Sequence, residues 1–125
     1  MMSTYYYLPT RNVFGAGSVS EVGALMDSLG GKRTMIVTDS FLAAHPMTAG
    51  IQEILQKSGI ESAVFGGAEP NPKDTNVEAG LAFYQEHGCD SMISLGGGSS
   101  HDCAKGIGRN GDIRAINIHG SLLPR

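Results

Sequence analysis

Short apolar runs alternate with amphipathic segments along almost the whole chain, and this alternation constrains the fold more than any other feature. TMIVTDS (34–40), IESAVFGG (60–67) and SMISLGGG (91–98) are continuous apolar runs of the kind that suits strands buried on both faces. Between them lie TAGIQEILQKSG (48–59), with Ile51, Ile54 and Leu55 at helical spacing, and TNVEAGLAFYQEHG (75–88), with Val77, Leu81 and Tyr84 on one side. Upstream, Ser18 opens a helix. Ser18 and Glu21 form a capping-box pattern, Val22, Leu25, Met26 and Leu29 keep helical spacing, and Gly30-Gly31 end it. Downstream, SSHDCAKGIG (99–108) starts a helix and DIRAINIHG (112–120) reads as a last strand. Residues 4–16 read as an extended segment or small hairpin around Pro9, and two prolines make EPNPKD (69–74) a loop. Strands and helices repeating at this spacing predict βαβ units. The expected fold is α/β, a Rossmann-like doubly wound parallel sheet with right-handed crossovers and helices on both faces. No linker or repeat divides the chain, so residues 1–125 are expected to form one domain, or half of something larger.

Composition bounds the partners. Hydrophobic residues make up 41% of the 125, enough for a packed core. Glycine, at 18 residues, is well above its usual share of roughly 7% and marks many tight junctions. The net charge of −3, without a Lys/Arg block, gives no footprint for nucleic acid or a membrane surface. No stretch has the length and apolarity of a membrane span, and MMSTYYYLP lacks the layout of a signal peptide. Cys89 and Cys103 do not make a disulfide framework, which suggests reduced thiols and a cytoplasmic setting. With no Cys-x-x-Cys and four scattered histidines, no metal site is expected in this chain.

In an open α/β sheet, ligands bind outside the C-terminal ends of the strands. Three features fall there: Asp39 after MIVT, Asn71 in the loop after AVFGG, and the glycines 96–98 after MISL. A helix N-terminus offers unpaired N–H groups and partial positive charge, and glycines let a pyrophosphate approach them closely. Ser99 and Ser100 add hydroxyls, and Asp39 is placed to accept bonds from ribose hydroxyls. The bland readings stand beside these. Strand-to-helix turns often carry glycine without binding anything, and a strand-end Asp is more often a helix cap or turn former. His101 reads more readily as a solvated residue than as a catalyst, Lys105 as a solvent-facing residue or one that approaches a bound anion, and Cys103 as a packed thiol. The dinucleotide fingerprint G-x-G-x-x-G fails at its third glycine, where His101 stands. Nor is this a phosphate-binding P-loop.

Taken together, NVFGAGSVSEVG (12–23), KRTMIVTDSFL (32–42) and the long phrase from Gly67 to Gly108 resemble the iron-containing, group III alcohol dehydrogenases. These include enzymes of methanol and 1,3-propanediol. PNP with SLGGGSSHDCAKGIG (94–108) is the most specific part, and the resemblance spans about residues 5–108 in the family's order. It implies reversible hydride transfer between a primary alcohol and NAD, with a divalent iron polarising the alcohol oxygen. By the same resemblance, Asp39 contacts the adenosine ribose and favours NAD over NADP. Asn71 lies against the cofactor, Gly97, Gly98 and Ser99 hold the pyrophosphate, and Asp102 sits near the nicotinamide end.

The departures carry expectations of their own. The family's metal ligands lie in a C-terminal helical domain outside the stretch that this chain resembles. None of His45, His87, His101 or His119 matches a ligand position, so iron is not expected to bind here. The expectation is an NAD-binding part that is catalytically incomplete alone, with a stand-alone, non-catalytic nucleotide-binding module as the alternative. The surface on which the family's second domain packs favours a homo-oligomer. Residues 109–125 diverge from the family. NIHGSLLPR (117–125) resembles the catalytic segment of folate-dependent formyltransferases, which would give Asn117 and His119 a formyl-polarising role. That match is nine residues long, and formyl transfer is the least favoured reading.

Overall fold

A computed structural model describes residues 10–13, 22–68, 74–96, 98–107 and 114–119. Ten elements follow one another in the chain: β1 (Thr10–Val13), α1 (Val22–Ser28), β2 (Arg33–Val37), α2 (Ser40–Ala43), α3 (Pro46–Lys57), β3 (Glu61–Phe65), α4 (Asp74–Glu86), β4 (Ser91–Gly96), α5 (Gly98–Ile107) and β5 (Arg114–His119). The strands form one five-stranded sheet in the order β1-β5-β4-β2-β3. Every neighbouring pair is parallel, as the alternation of elements predicts.

The apolar runs are continuous because both faces of the sheet are covered, and the pleat sends successive side chains to opposite sides. Ile36, Ile93, Leu95, Ile116 and Ile118 pack with Val22 and Met26 of α1 and with Ile51 and Leu55 of α3. Met35, Val37 and Met92 pack on the other face with Cys103, Ala104 and Ile107 of α5, and Val77, Leu81 and Tyr84 of α4 join them. Register aligns these layers across the strands. Ile36 sits beside Val64 on β3 and Ile93 on β4, and Ile93 beside Ile116 on β5. On the second face α4 and α5 approach closely through glycines: a Cβ on Gly80 would collide with Ile107, and one on Gly106 would lie 2.8 Å from Val77 Cγ2.

The strand order reverses direction once. Connections leaving β1 and β2 run toward β3 and place α1 and α3 on one face. Those leaving β3 and β4 run back and place α4 and α5 on the other. The two oppositely directed connections start from neighbouring strands, β2 and β4. Their C-terminal ends flank the topological switch point, the place where doubly wound sheets bind ligands.

Local chemistry sets the boundaries. Pro46 sits in the first turn of α3, where its missing N–H costs nothing, and His45 caps that helix by accepting from Met47 N at 3.0 Å. Gly59, with φ of 77°, ends it in the left-handed conformation, and Ile60 N donates to Leu55 O at 2.9 Å. The sequence reading began this helix two residues later and assigned no role to His45. It also ran the second strand through Ser40, whereas β2 stops at Val37 and the short helix α2 begins at Ser40. The capping residue Asp39 ends the strand there. The Ser18–Glu21 capping pattern lies outside the described residues.

At the opposite end of the sheet the Asp90 carboxylate accepts from the backbone N–H of Lys32 and of Arg33 and from Ser91 Oγ, at 3.0 to 3.1 Å. These bonds tie the turn after α4 to the start of β2.

Candidate functional site at the switch point

Two turns flank the switch point. At the end of β2, Asp39 takes an extended conformation, φ −86° and ψ 172°, and caps α2. Its Oδ1 accepts from Leu42 N at 2.7 Å. The cap engages Oδ1 of this half-buried carboxylate and leaves Oδ2 outside the capping bond. Asp39 is therefore a helix cap, the commoner role for a strand-end aspartate. It is also a carboxylate at the switch point.

At the end of β4, Gly96 has φ of 124°, a conformation that L side chains rarely adopt. A Cβ there would stand 3.0 Å from Leu42 Cδ1 and 3.1 Å from Ser100 Oγ. So the first glycine of the run is required by the backbone and by close packing between the two turns. The chain then enters α5 at Gly98; the N–H groups and dipole of a helix start are in general suited to anions. Ser100, in the first turn, is fully buried, and its Oγ has no hydrogen-bond partner. An orphaned buried hydroxyl costs about 1–3 kcal/mol, and native folds keep few of them. Gly96 and the orphaned Ser100 hydroxyl thus lie together where β4 leads into α5.

Thr38 holds the two turns together. Its backbone N–H donates to Phe65 O at 3.0 Å, its carbonyl accepts from Ala68 N at 3.1 Å, and its Oγ1 donates to Leu95 O at 2.9 Å. One fully buried threonine thus joins the ends of β2, β3 and β4 immediately before Asp39. Sequence reasoning passed over it; the available signal was a polar β-branched residue closing an apolar run. Asn76 Nδ2 adds a bond to Gly67 O at 3.3 Å, tying the start of α4 to the loop after β3.

The remaining predicted residues are distributed around this frame. Gly98 and Ser99 form the first turn of α5 and Asp102 lies in its second turn. Gly97 and Asn71 lie outside the described residues. Asn117 and His119 belong to β5, where Asn117 pairs with Ser94 and His119 with Gly96, so both register positions approach the C-terminal edge. The SLLP part of that tail lies outside the described residues. Lys105 is exposed and Cys103 fully buried, in keeping with the plain readings of each. Burial pushes the Cys103 thiol above its ordinary pKa. It does the same for Cys89, where Asp90 adds to the rise and Arg33 opposes it. Neither thiol is an activated nucleophile. Among the described residues, no group of three or more His, Cys, Asp or Glu side chains is placed to hold a metal ion. No described helix is long and apolar enough to cross a membrane.

Comparison with known proteins places this site in context. The model of the iron-containing alcohol dehydrogenase family matches residues 9–116. The chain is 48% identical over 105 residues to the 1,3-propanediol dehydrogenase of Klebsiella pneumoniae, covering 82% of this chain and 27% of that protein. It is 39% identical over 105 residues to the NAD-dependent methanol dehydrogenase of Bacillus methanolicus, covering 84% and 28% respectively. The crystal structure of a 1,3-propanediol oxidoreductase superposes with a TM-score of 0.79 at 38% identity, over 91% of this chain and 35% of that one. The chain thus spans a little over a quarter of the length of the curated relatives that it matches.

Proposed function

The chain belongs to the iron-containing alcohol dehydrogenase family, and from that premise we propose that it is the NAD-binding part of a dehydrogenase that transfers hydride between a primary alcohol and NAD. The observation that carries this reading is that the ends of the neighbouring strands β2 and β4 lead into the Asp39 cap of α2 and, through Gly96, into α5, with a Cβ on Gly96 standing 3.0 Å from Leu42 Cδ1 of α2.

In this reading each part of the dinucleotide meets a group suited to it. Asp39 Oδ2 accepts from the adenosine ribose hydroxyls, and its negative charge disfavours the 2′-phosphate of NADP. Gly97, Gly98 and Ser99 receive the pyrophosphate on the N–H groups of α5. Asn71 lies against the cofactor and Asp102 toward the nicotinamide end. Bound NAD supplies the hydride acceptor; the chain's own residues bind and orient it. Iron serves the family's reaction as a Lewis acid, but the described residues offer it no ligand set, so no step is assigned to a metal here. These 125 residues by themselves bind NAD and do not turn over alcohol. The unpaired Cys89 and Cys103 suit a cytoplasmic setting.

Calorimetric titration with NAD, NADP and ATP tests the reading. NAD is expected to bind best, and Asp39→Asn, which retains a capping side chain, is expected to narrow the preference over NADP. Equal binding of ATP would favour a general nucleotide-binding module. No binding of any nucleotide would reduce the glycine run to a turn, and metal-dependent alcohol turnover by this chain would overturn its incompleteness.

A further inference from the structure

Phe41 is the exposed large hydrophobic side chain among the described residues, with 74% of its surface open to solvent. Its neighbour Leu42 turns inward to the core beside Ile36, Ile51 and Leu95, so α2 splits its two apolar residues between core and water. An exposed phenylalanine costs hydration free energy that a polar residue at the same position would not. Its location narrows what covers it. It lies two residues past Asp39, in the helix that the Asp39 carboxylate caps, at the C-terminal edge of β2. Its ring is flanked by His45, centroids 5.9 Å apart at 50°. His45 is itself anchored by the bond from Met47 N, so the aromatic pair has a fixed base.

We propose that Phe41 is the platform on which the adenine ring of a bound dinucleotide stacks. The inference rests on the nucleotide reading above. The base is joined to the ribose at the carbon next to the 2′-hydroxyl, so a ribose held by Asp39 Oδ2 carries its adenine alongside the first turn of α2. There Phe41 offers an apolar π-face, the surface that purines stack on irrespective of their hydrogen-bonding edges. Phe41 is a positioning residue. It sets where the adenosine end lies, and so the direction in which the pyrophosphate runs toward the α5 N-terminus.

The chain contains no tryptophan, so Phe41→Trp installs a single reporter at the platform. Titration of the whole chain with ADP-ribose is expected to quench this fluorescence, while nicotinamide mononucleotide leaves it unchanged. By calorimetry, Phe41→Ala is expected to weaken ADP-ribose binding by about tenfold and Phe41→Tyr to keep it within about twofold. Because the side chain is exposed, none of the three variants is expected to alter the unfolding midpoint. Unchanged ADP-ribose affinity in Phe41→Ala, with wild-type binding intact, overturns the platform and leaves the nucleotide reading standing. A variant that shifts only the sedimentation behaviour also overturns it and assigns the ring to a protein contact. Absence of ADP-ribose binding to the wild-type chain overturns both readings.

Discussion

Thr38 Oγ1 donates a hydrogen bond of 2.9 Å to the carbonyl of Leu95, and with it the end of β2 is held against the end of β4. The residues that follow these two partners are Asp39, which caps α2, and Gly96, where an added Cβ would stand 3.0 Å from Leu42 Cδ1 of that helix. Together with the β2–β4 ladder, this interior hydrogen bond holds two strand ends that are far apart in sequence side by side.

Removing that bond is expected to be costly. Thr38→Val keeps the shape and the β-branch but leaves the buried Leu95 carbonyl without this donor. A loss of about 1–2 kcal/mol in urea unfolding is expected, together with weaker NAD binding. Thr38→Ser retains the hydroxyl and is expected to recover most of the binding. Full stability in Thr38→Val would show that the bond is dispensable.

Gly96 and Gly50 are predicted to respond in opposite directions to the same substitution. At Gly96 the positive φ and the close Leu42 and Ser100 atoms make Gly96→Ala destabilising, by about 1–3 kcal/mol. At Gly50, inside α3, a Cβ meets nothing within 4 Å, so Gly50→Ala is expected to stabilise by about 0.5–1 kcal/mol. Thermal unfolding of the two variants side by side checks both signs.

Asp39 combines a cap and a carboxylate, and two substitutions separate them. Asp39→Ala is expected to lose about 1 kcal/mol of stability through the cap and to lose NAD binding. Asp39→Asn is expected to keep the stability while changing only the preference between NAD and NADP. Equal stability of the Ala and Asn variants in chemical denaturation would contradict the capping geometry.

The buried thiols predict a pH dependence at the alkaline end. Cys103 and Cys89 hold their protons more tightly when folded than in the unfolded chain. The unfolded state then loses protons first, and stability falls as pH rises past about 9. Below that pH both states are protonated and the thiols contribute no slope. Cys103→Ala is expected to flatten part of this alkaline decline in denaturant titrations at successive pH values. In the folded protein Cys103 is expected to resist iodoacetamide until the chain unfolds. Rapid alkylation under native conditions would contradict its burial.

Much of the architecture is legible along the chain because its local signals agree. Apolar runs such as MIV at 35–37 and MIS at 92–94 need both faces covered. Gly59 and Pro46 punctuate α3 from its two ends, and the alternation of elements implies a parallel sheet. The short helix α2 was not legible: four residues carry no period, and its start depends on which group Asp39 caps. Phe41 reads as one more apolar residue beside Leu42, since exposure is a property of the packed molecule.

By itself, then, the sequence determined the longer elements, their parallel pairing and the glycine-bearing turn that opens α5, because periodicity, capping and glycine punctuation act over a few residues. Tertiary structure decided which turns meet. Strand order brought β2 beside β4 although β3 and α4 intervene in the chain. Thr38 fixed their ends together, and the positive φ of Gly96 with the close approach of Leu42 disfavours any side chain there. The approaches of Thr38 to Leu95 and of Leu42 to Gly96 join residues more than fifty positions apart, and no local preference specifies them.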